Sequence, residues 1–597
     1  MENVSTKLQQ LRNFMQAHGL DALIIPSNDP HQSEYVAEHW KSRTWISGFT
    51  GSAGLVSITH QEAILWTDSR YTLQAVDELE GTPFKCRSLL YKGRPAYLSW
   101  LTETLESNST LGLDGRLFSK QQYQNLEKKL SPKKIKIQNQ IDPFESIWKD
   151  RPALPVDPIF DYDIHYAGES RTAKFTRVRA LVKKSGAEAY LVTRLDDIAW
   201  LLNLRGADVS FNPVFYSYVV ILPEQVLLFI NAEKIKSELK ESLQEDDVRL
   251  LPYHDLPGFL KDFPAPQKIL LEPSTSILIH KAVKKAQIVN GTEIIQSLKA
   301  IKNPTEIDHT HLVMEKDGVA LCRFFRWLEI MHPSKALSEH DLVNQLQKFR
   351  GEQEAYFGES FSAIVGFREN GAIVHYRPDE QHSALINKDG ILLIDSGGQY
   401  LDGTTDITRT ISIGQPTEEQ RDVFTLVLKG HIALDLIHFP KGTTGTQLDV
   451  LARMHLWKTG RNFGHGTGHG VGFFLNVHEG PQGFSSSTNS KSSNTPFQAG
   501  MITSNEPGFY KAGAYGIRIE NLILCTNSIH HPDGSFLQFE TLTLFPLDLS
   551  LIQPTLLTQE ELEWINNYHQ KVYERLAPHL NPDEKTWLAE KCMAVTI

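Results

Sequence analysis

Cysteine is scarce in this chain. Its 597 residues include four, Cys86, Cys322, Cys525 and Cys592, with no CxxC pair and no short spacing between any two. That argues against a disulfide scaffold and against a cysteine-built zinc cluster, and leaves reduced thiols. Long apolar runs are also missing. The stretch Tyr218 to Ile230 is broken by Pro223, Glu224 and Gln225, so it reads as two strands around a turn, short of the ~20 residues a membrane helix needs. The opening MENVSTKLQQLRNFM is polar and helix-like, without the basic and apolar regions of a secretory signal. No basic block stands out, and 60 Lys+Arg against 71 Asp+Glu give a formal charge of −11, a poor match to nucleic acid. A cytoplasmic protein with neither a membrane nor a nucleic-acid partner is expected.

What is present is length and internal repetition. At roughly 150 residues per domain the chain has room for three or four, and 41% hydrophobic residues are enough to build their cores. Leu11, Arg12, Gly19, Ala22 and the Leu23 to Ile25 strand start recur 167 positions later as Val178, Arg179, Gly186, Ala189 and Tyr190 to Val192. Each copy reads as a helix closed by glycine and followed by a buried strand, so two similar α/β domains in tandem are predicted. Between them, Asp142 to Tyr166 carries four prolines with little periodicity and reads as an extended linker. A second boundary falls in LKAIKNPTE, where Pro304 opens a long amphipathic helix through Leu328. Ser485 to Thr495 is rich in Ser, Asn and Thr and reads as a mobile rim loop.

The C-terminal half holds five potential metal ligands in the order Asp395, Asp406, His469, Glu506, Glu520. Four carboxylates gathered without a cation would repel one another, so the set is most economically explained by divalent metal. Ile391 to Asp395 and Thr404 to Ile413 read as a β-hairpin that brings Asp395 and Asp406 together. GHGTGHGVG, Gly464 to Gly472, packs five glycines around His465 and His469, letting backbone approach closely. It lacks the GxxxxGK ending of a phosphate loop, and no HExxH is present. Met501 to Glu506 is a second strand ending in a carboxylate. In GIRIE, alternation places Arg518 and Glu520 on one face, where the arginine can orient and charge-balance ligand carboxylates.

Together IDSGGQYLDGTTDITRT, GHGTGHGVGFFLNVHEGP, SNEPGFY and GIRIEN resemble the pita-bread metallopeptidase family, and within it the long, three-domain Xaa-Pro aminopeptidases. The resemblance implies α/β and α+β architecture: creatinase-like α/β domains over 1–150 and 151–302, then a pita-bread catalytic domain with a C-terminal extension over 303–597. It further implies two divalent ions per subunit, pointing to Mn2+ with Zn2+ or Co2+ as alternatives, since oxygen ligands plus one histidine do not choose among them. By the same resemblance Asp395 binds one ion, His469 the other, and Asp406 and Glu520 bridge both, while Glu506 is a ligand that also handles the proton of a water shared by the ions. His375, in IVHYRP, His465 and His478 correspond to histidines that hold substrate and stabilise the tetrahedral intermediate. Tyr510 and Arg518 fall near the proline pocket.

The activity implied is cleavage between an N-terminal residue and a penultimate proline. TDSRY resembles a motif whose arginine, here Arg70, shapes the active site of a partner subunit in a homodimer. A prolidase shares all five ligands, but the doubled N-terminal half and the 14-residue interval from Glu506 to Glu520 favour the aminopeptidase. A binding-only pita-bread protein would typically have lost ligands that are intact here.

Overall fold

The computed structural model describes all residues except 1, 2, 92, 93, 266, 333, 533 and 597. The chain divides into two compact units, one comprising residues 1–164 and 169–295, the other 165–168 and 296–597.

The first unit contains the repeat. Helix Val4–Ala17 and helix Arg171–Lys184 stand 167 positions apart at both ends. Gly19 and Gly186 follow them with φ of +62° and +79°, the left-handed conformation that ends a helix with least cost when no Cβ is present. Strands Ala22–Pro26 and Ala189–Val192 come next, each buried along its whole length. Each strand lies inside a six-stranded sheet of the same order. Its neighbour on one side is antiparallel and on the other parallel in both copies. The correspondence reaches a side chain: Arg12 Nε donates to Thr59 O at 3.1 Å, and Arg179 Nε to Leu222 O at 2.9 Å.

The linker reading is too long at its start. Phe144 and Trp148 are buried in the core of the first copy, and the Trp148 ring stacks on Trp45 with centroids 5.4 Å apart. Aromatic burial therefore claims 144–148 for that copy despite Pro143, and the irregular chain begins after them.

The long helix of the second unit, Pro304–Met331, is capped by Asn303 in a reciprocal box with Glu306 and has proline at its first position. Strands Ile364–Phe367, Gly390–Ser396 and Ile407–Ile413 form one sheet, with Asp395 paired to Thr408. A four-stranded sheet holds Ile502–Asn505 beside Asn521–His531. Helices Glu418–Asp435, Gly445–Trp457 and Gln559–Leu576 cover these sheets through a shared apolar core that includes Val427, Leu456, Ile517 and Ile565.

Residues 485–495 are more ordered in their bonding than a mobile rim loop. They include a 3-10 turn at Ser492–Asn494, with Ser493 fully buried. Ser493 Oγ donates to Ser487 O at 3.0 Å, and Thr446 Oγ1 donates to Ser493 O at 3.0 Å. Polar side chains here bond the loop's own backbone, which a hydropathy reading scores only as solvation. Among the described residues, no helix is long and apolar enough to cross a membrane.

Candidate metal centre

The 390–396 and 407–413 strands set the first two carboxylates. Asp395 is the penultimate residue of one strand, and Asp406 stands immediately before the other. Alternation along the second strand sends Thr408 and Thr410 the same way as Asp406. Thr408 Oγ1 donates to Glu520 Oε2 at 2.8 Å and Thr410 Oγ1 to Arg518 O at 2.8 Å, which fastens the GIRIE segment to this face.

His469 reaches the same place from the glycine-rich loop. The two-residue strand Gly468–His469 pairs with Gly483–Phe484. A Cβ on Gly468 would sit 1.9 Å from Ser504 O, so the 502–505 strand can lie this close only against glycine. His469 Nδ1 is 3.0 Å from Gly470 O. A carbonyl only accepts, so Nδ1 carries the proton and Nε2 presents its lone pair inward. Nε2 lies 3.5 Å from Asp406 Oδ2 and 3.6 Å from Glu506 Oε1. One ligand atom from each of Asp406, His469 and Glu520 falls within 4.8 Å of the others.

Arg518, 2% exposed, organises the opposite side. Its Nη2 donates to Asp395 Oδ2 at 2.5 Å, Nε to Thr408 Oγ1 at 3.1 Å and Nη1 to Tyr510 OH at 2.7 Å. Tyr510 OH in turn meets His465 Nε2 at 2.8 Å, while His465 Nδ1 donates to Gly466 O at 2.7 Å. The proton order is therefore Arg518 to Tyr510 to His465. His478 stands edge-on to His469, with ring centroids 4.3 Å apart. Val374, the neighbour of His375, offers its carbonyl to Arg518 Nη2 at 3.5 Å. Arg70 lies in the first unit, where Asp68 holds its Nε and Nη2 at 2.9 and 2.7 Å.

The electrostatics fit a cation. Burial holds the Asp406 carboxyl well above the usual range, and the charges of Glu520, Asp395 and Glu506 add to the shift. Glu520 is raised by burial and then by Asp395 and Glu506. Glu506 is pushed up to about 7 by burial, with Asp395 adding to the rise and Arg518 opposing it. Arg518 is the guanidinium set against these acids, and Asp395 Oδ1 is buried with no hydrogen-bond partner among the described residues. An orphaned carboxylate oxygen facing three further acids and an imidazole lone pair is a donor set for hard or borderline divalent metal.

Several supporting residues are not singled out by the sequence reading. Glu479, beside His478, is buried and takes Lys299 Nζ at 2.6 Å and Lys302 Nζ at 3.3 Å. Arg453 bridges Asp449 at 2.6 Å and the carbonyl of His465 at 2.8 Å. Arg409 donates to Glu520 O at 2.7 Å and to Asn521 Oδ1 at 2.9 Å. Arg409 sits within TDITRT and Glu479 within VHEGP, so position beside a ligand or histidine was the available signal.

Residues 309–527 match the model of metallopeptidase family M24. A probable Xaa-Pro aminopeptidase P of Coprinopsis cinerea is 40% identical, over 98% of this chain and 97% of its own length. The chain belongs to metallopeptidase family M24. The creatinase/prolidase N-terminal domain matches twice, over 7–145 and 150–306, and the C-terminal region of the family's peptidases over 535–595. Two creatinase-like α/β domains thus precede a pita-bread catalytic domain. Xaa-Pro aminopeptidase 1 of Dictyostelium discoideum is 41% identical over 96% of this chain and 93% of its own. The crystal structure of an X-prolyl aminopeptidase from Caenorhabditis elegans, described as a cytosolic enzyme with a di-nuclear active site, superposes with a TM-score of 0.95. That protein is 33% identical and each chain covers 100% of the other.

Proposed function

We propose that this chain is a metal-dependent Xaa-Pro aminopeptidase, with two divalent cations held by Asp395, Asp406, His469, Glu506 and Glu520. The convergence of Asp406, His469 and Glu520 within 4.8 Å carries this reading. It is supported by relatives of the same description that match along nearly the whole chain. Two such cations supply Lewis acidity: they acidify water and polarise a scissile carbonyl.

The chain's own groups do the rest. Glu506 accepts from Ser504 Oγ at 3.3 Å and faces His469, placed to take a proton from water and return one to the departing amine. His375 and His478 hold the substrate and face its developing charge, and the Arg518–Tyr510–His465 string fixes the third histidine. A bond to proline has no N–H and a fixed φ, so it needs a pocket shaped for the ring instead of a backbone ladder. Mn2+ as the native metal, a cytoplasmic location and a homodimer in which Arg70 serves the partner subunit belong to the same reading. So do domain boundaries at 150/151 and 302/303.

The test compares Xaa-Pro-Yaa peptides with Xaa-Pro dipeptides and Xaa-Ala-Yaa controls. Cleavage of the Xaa-Pro-Yaa peptides with little turnover of the others is expected. Turnover of dipeptides alone would replace this reading with a prolidase.

A further inference from the structure

Glu339 is a carboxylate with 0% exposure and, among the described residues, no cation within ion-pairing distance. Burying an acid without a counter-ion is costly unless donors replace water. Here five hydrogen bonds do so. Oε1 accepts from Phe367 N at 2.6 Å and Asn370 Nδ2 at 3.0 Å; Oε2 accepts from Asn370 Nδ2 at 3.0 Å, Tyr376 OH at 2.8 Å and Ala384 N at 2.8 Å. The residue also opens helix Glu339–Gly351 just after its Ser338 cap, where the helix dipole favours an anion.

All four donor residues belong to one segment, 367–384. Phe367 ends a strand, Ala384 precedes the next, and between them only the 3-10 turn Arg368–Ala372 is regular. His375 rides on this segment, directly before Tyr376. A single carboxylate thus closes the base of the loop through two backbone amides and grips its interior through Asn370 and Tyr376. The neighbouring Val374 carbonyl faces Arg518. A helix cap alone would require none of these bonds, since Ser338 already supplies one.

We infer that Glu339 is a positioning residue that acts through His375, setting where its imidazole meets the substrate. This rests on the substrate role proposed for His375. It makes no contribution to metal binding and transfers no proton.

A double-mutant cycle tests it. Y376F removes one of the five bonds and leaves the loop closed. E339Q puts an amide N–H against one of the two backbone donors, so Y376F carries the test if E339Q fails to fold. Misplacing a catalytic contact by a fraction of an ångström costs on the order of 10-fold or more in kcat/KM, and that loss is expected with Mn2+ stoichiometry unchanged. In an H375A background the same substitutions should cost less than about twofold, because residues acting as one unit are not additive. Undiminished losses in that background, or no loss in either single variant, would overturn the inference. If H375A itself leaves kcat/KM unchanged, the role proposed for His375 fails and the inference falls with it.

Discussion

Arg518 binds one oxygen of Asp395 at 2.5 Å, and the other oxygen of that carboxylate is buried with no hydrogen-bond partner among the described residues. In the proposed centre the guanidinium neutralises and aims the carboxylate, and the second oxygen would serve a cation.

Replacing Arg518 should therefore weaken the centre without removing a ligand. Arg518→Lys loses the fork that spans Asp395, Thr408 and Tyr510, because an ammonium is a single point of charge. A 10- to 100-fold loss in Mn2+ affinity or in turnover is expected, as for other groups that orient metal ligands. Calorimetric titration of Mn2+ into metal-free protein, beside steady-state kinetics, checks this.

Asp406→Ala should behave differently. Its turnover should fall by more than the ~10- to 100-fold expected of a group outside the ligand set. Metal-free stability should not drop, because one of four mutually repelling acids is gone. Stabilisation of the folded chain by Mn2+, worth about 2.7 kcal/mol at a hundredfold excess over Kd, should shrink. Thermal unfolding with and without Mn2+ measures both. A substantial activity in this variant would contradict a bridging role.

Proton linkage follows from the raised carboxyls. Glu506, Asp406 and Glu520 all have folded-state values above their unfolded ones. Their contribution to stability is present below the unfolded carboxyl range and is lost as pH rises through the folded values, for Glu506 about 7. Metal-free protein should accordingly lose thermal stability between about pH 4.5 and 7 on account of Glu506, and Asp406 and Glu520 add losses of the same sign as pH rises above the ordinary carboxyl range. Mn2+ binding should release protons, most strongly below pH 7. Titrations in buffers of different ionisation enthalpy give the number released.

The Glu479 ion pairs should be strongly structural. Lys299 and Lys302 are each 1% exposed and share this one carboxylate. Glu479→Leu removes the carboxylate that two buried ammonium groups share, a loss of about 3–5 kcal/mol. Thermal unfolding should show a lowered transition, and replacing all three residues with apolar ones should recover much of it.

The centre was readable in sequence because each of its parts carries a local signature. Asp395 closes an apolar run and Glu506 directly follows a short strand, and His469 stands among glycines that the packing requires, as the Gly468 contact with Ser504 O demonstrates. The repeat was readable because helix, glycine and strand recur at one spacing. Partnerships across long separations were not. Glu479 meets lysines nearly two hundred residues earlier, and Glu339 gathers donors from a segment whose composition says only loop. The bonding inside 485–495 was hidden for a related reason: serine looks the same in a sequence whether it faces water or a backbone carbonyl. Individual ligand roles came from the family resemblance, since periodicity can bring carboxylates together but cannot say which one bridges.

The central claim is tested most directly by titrating exhaustively chelated protein with Mn2+ while following cleavage of an Xaa-Pro-Yaa peptide. Two equivalents bound per chain, with turnover rising as they bind and release of the N-terminal residue alone, is the predicted result. Full turnover by the chelated protein would contradict the account.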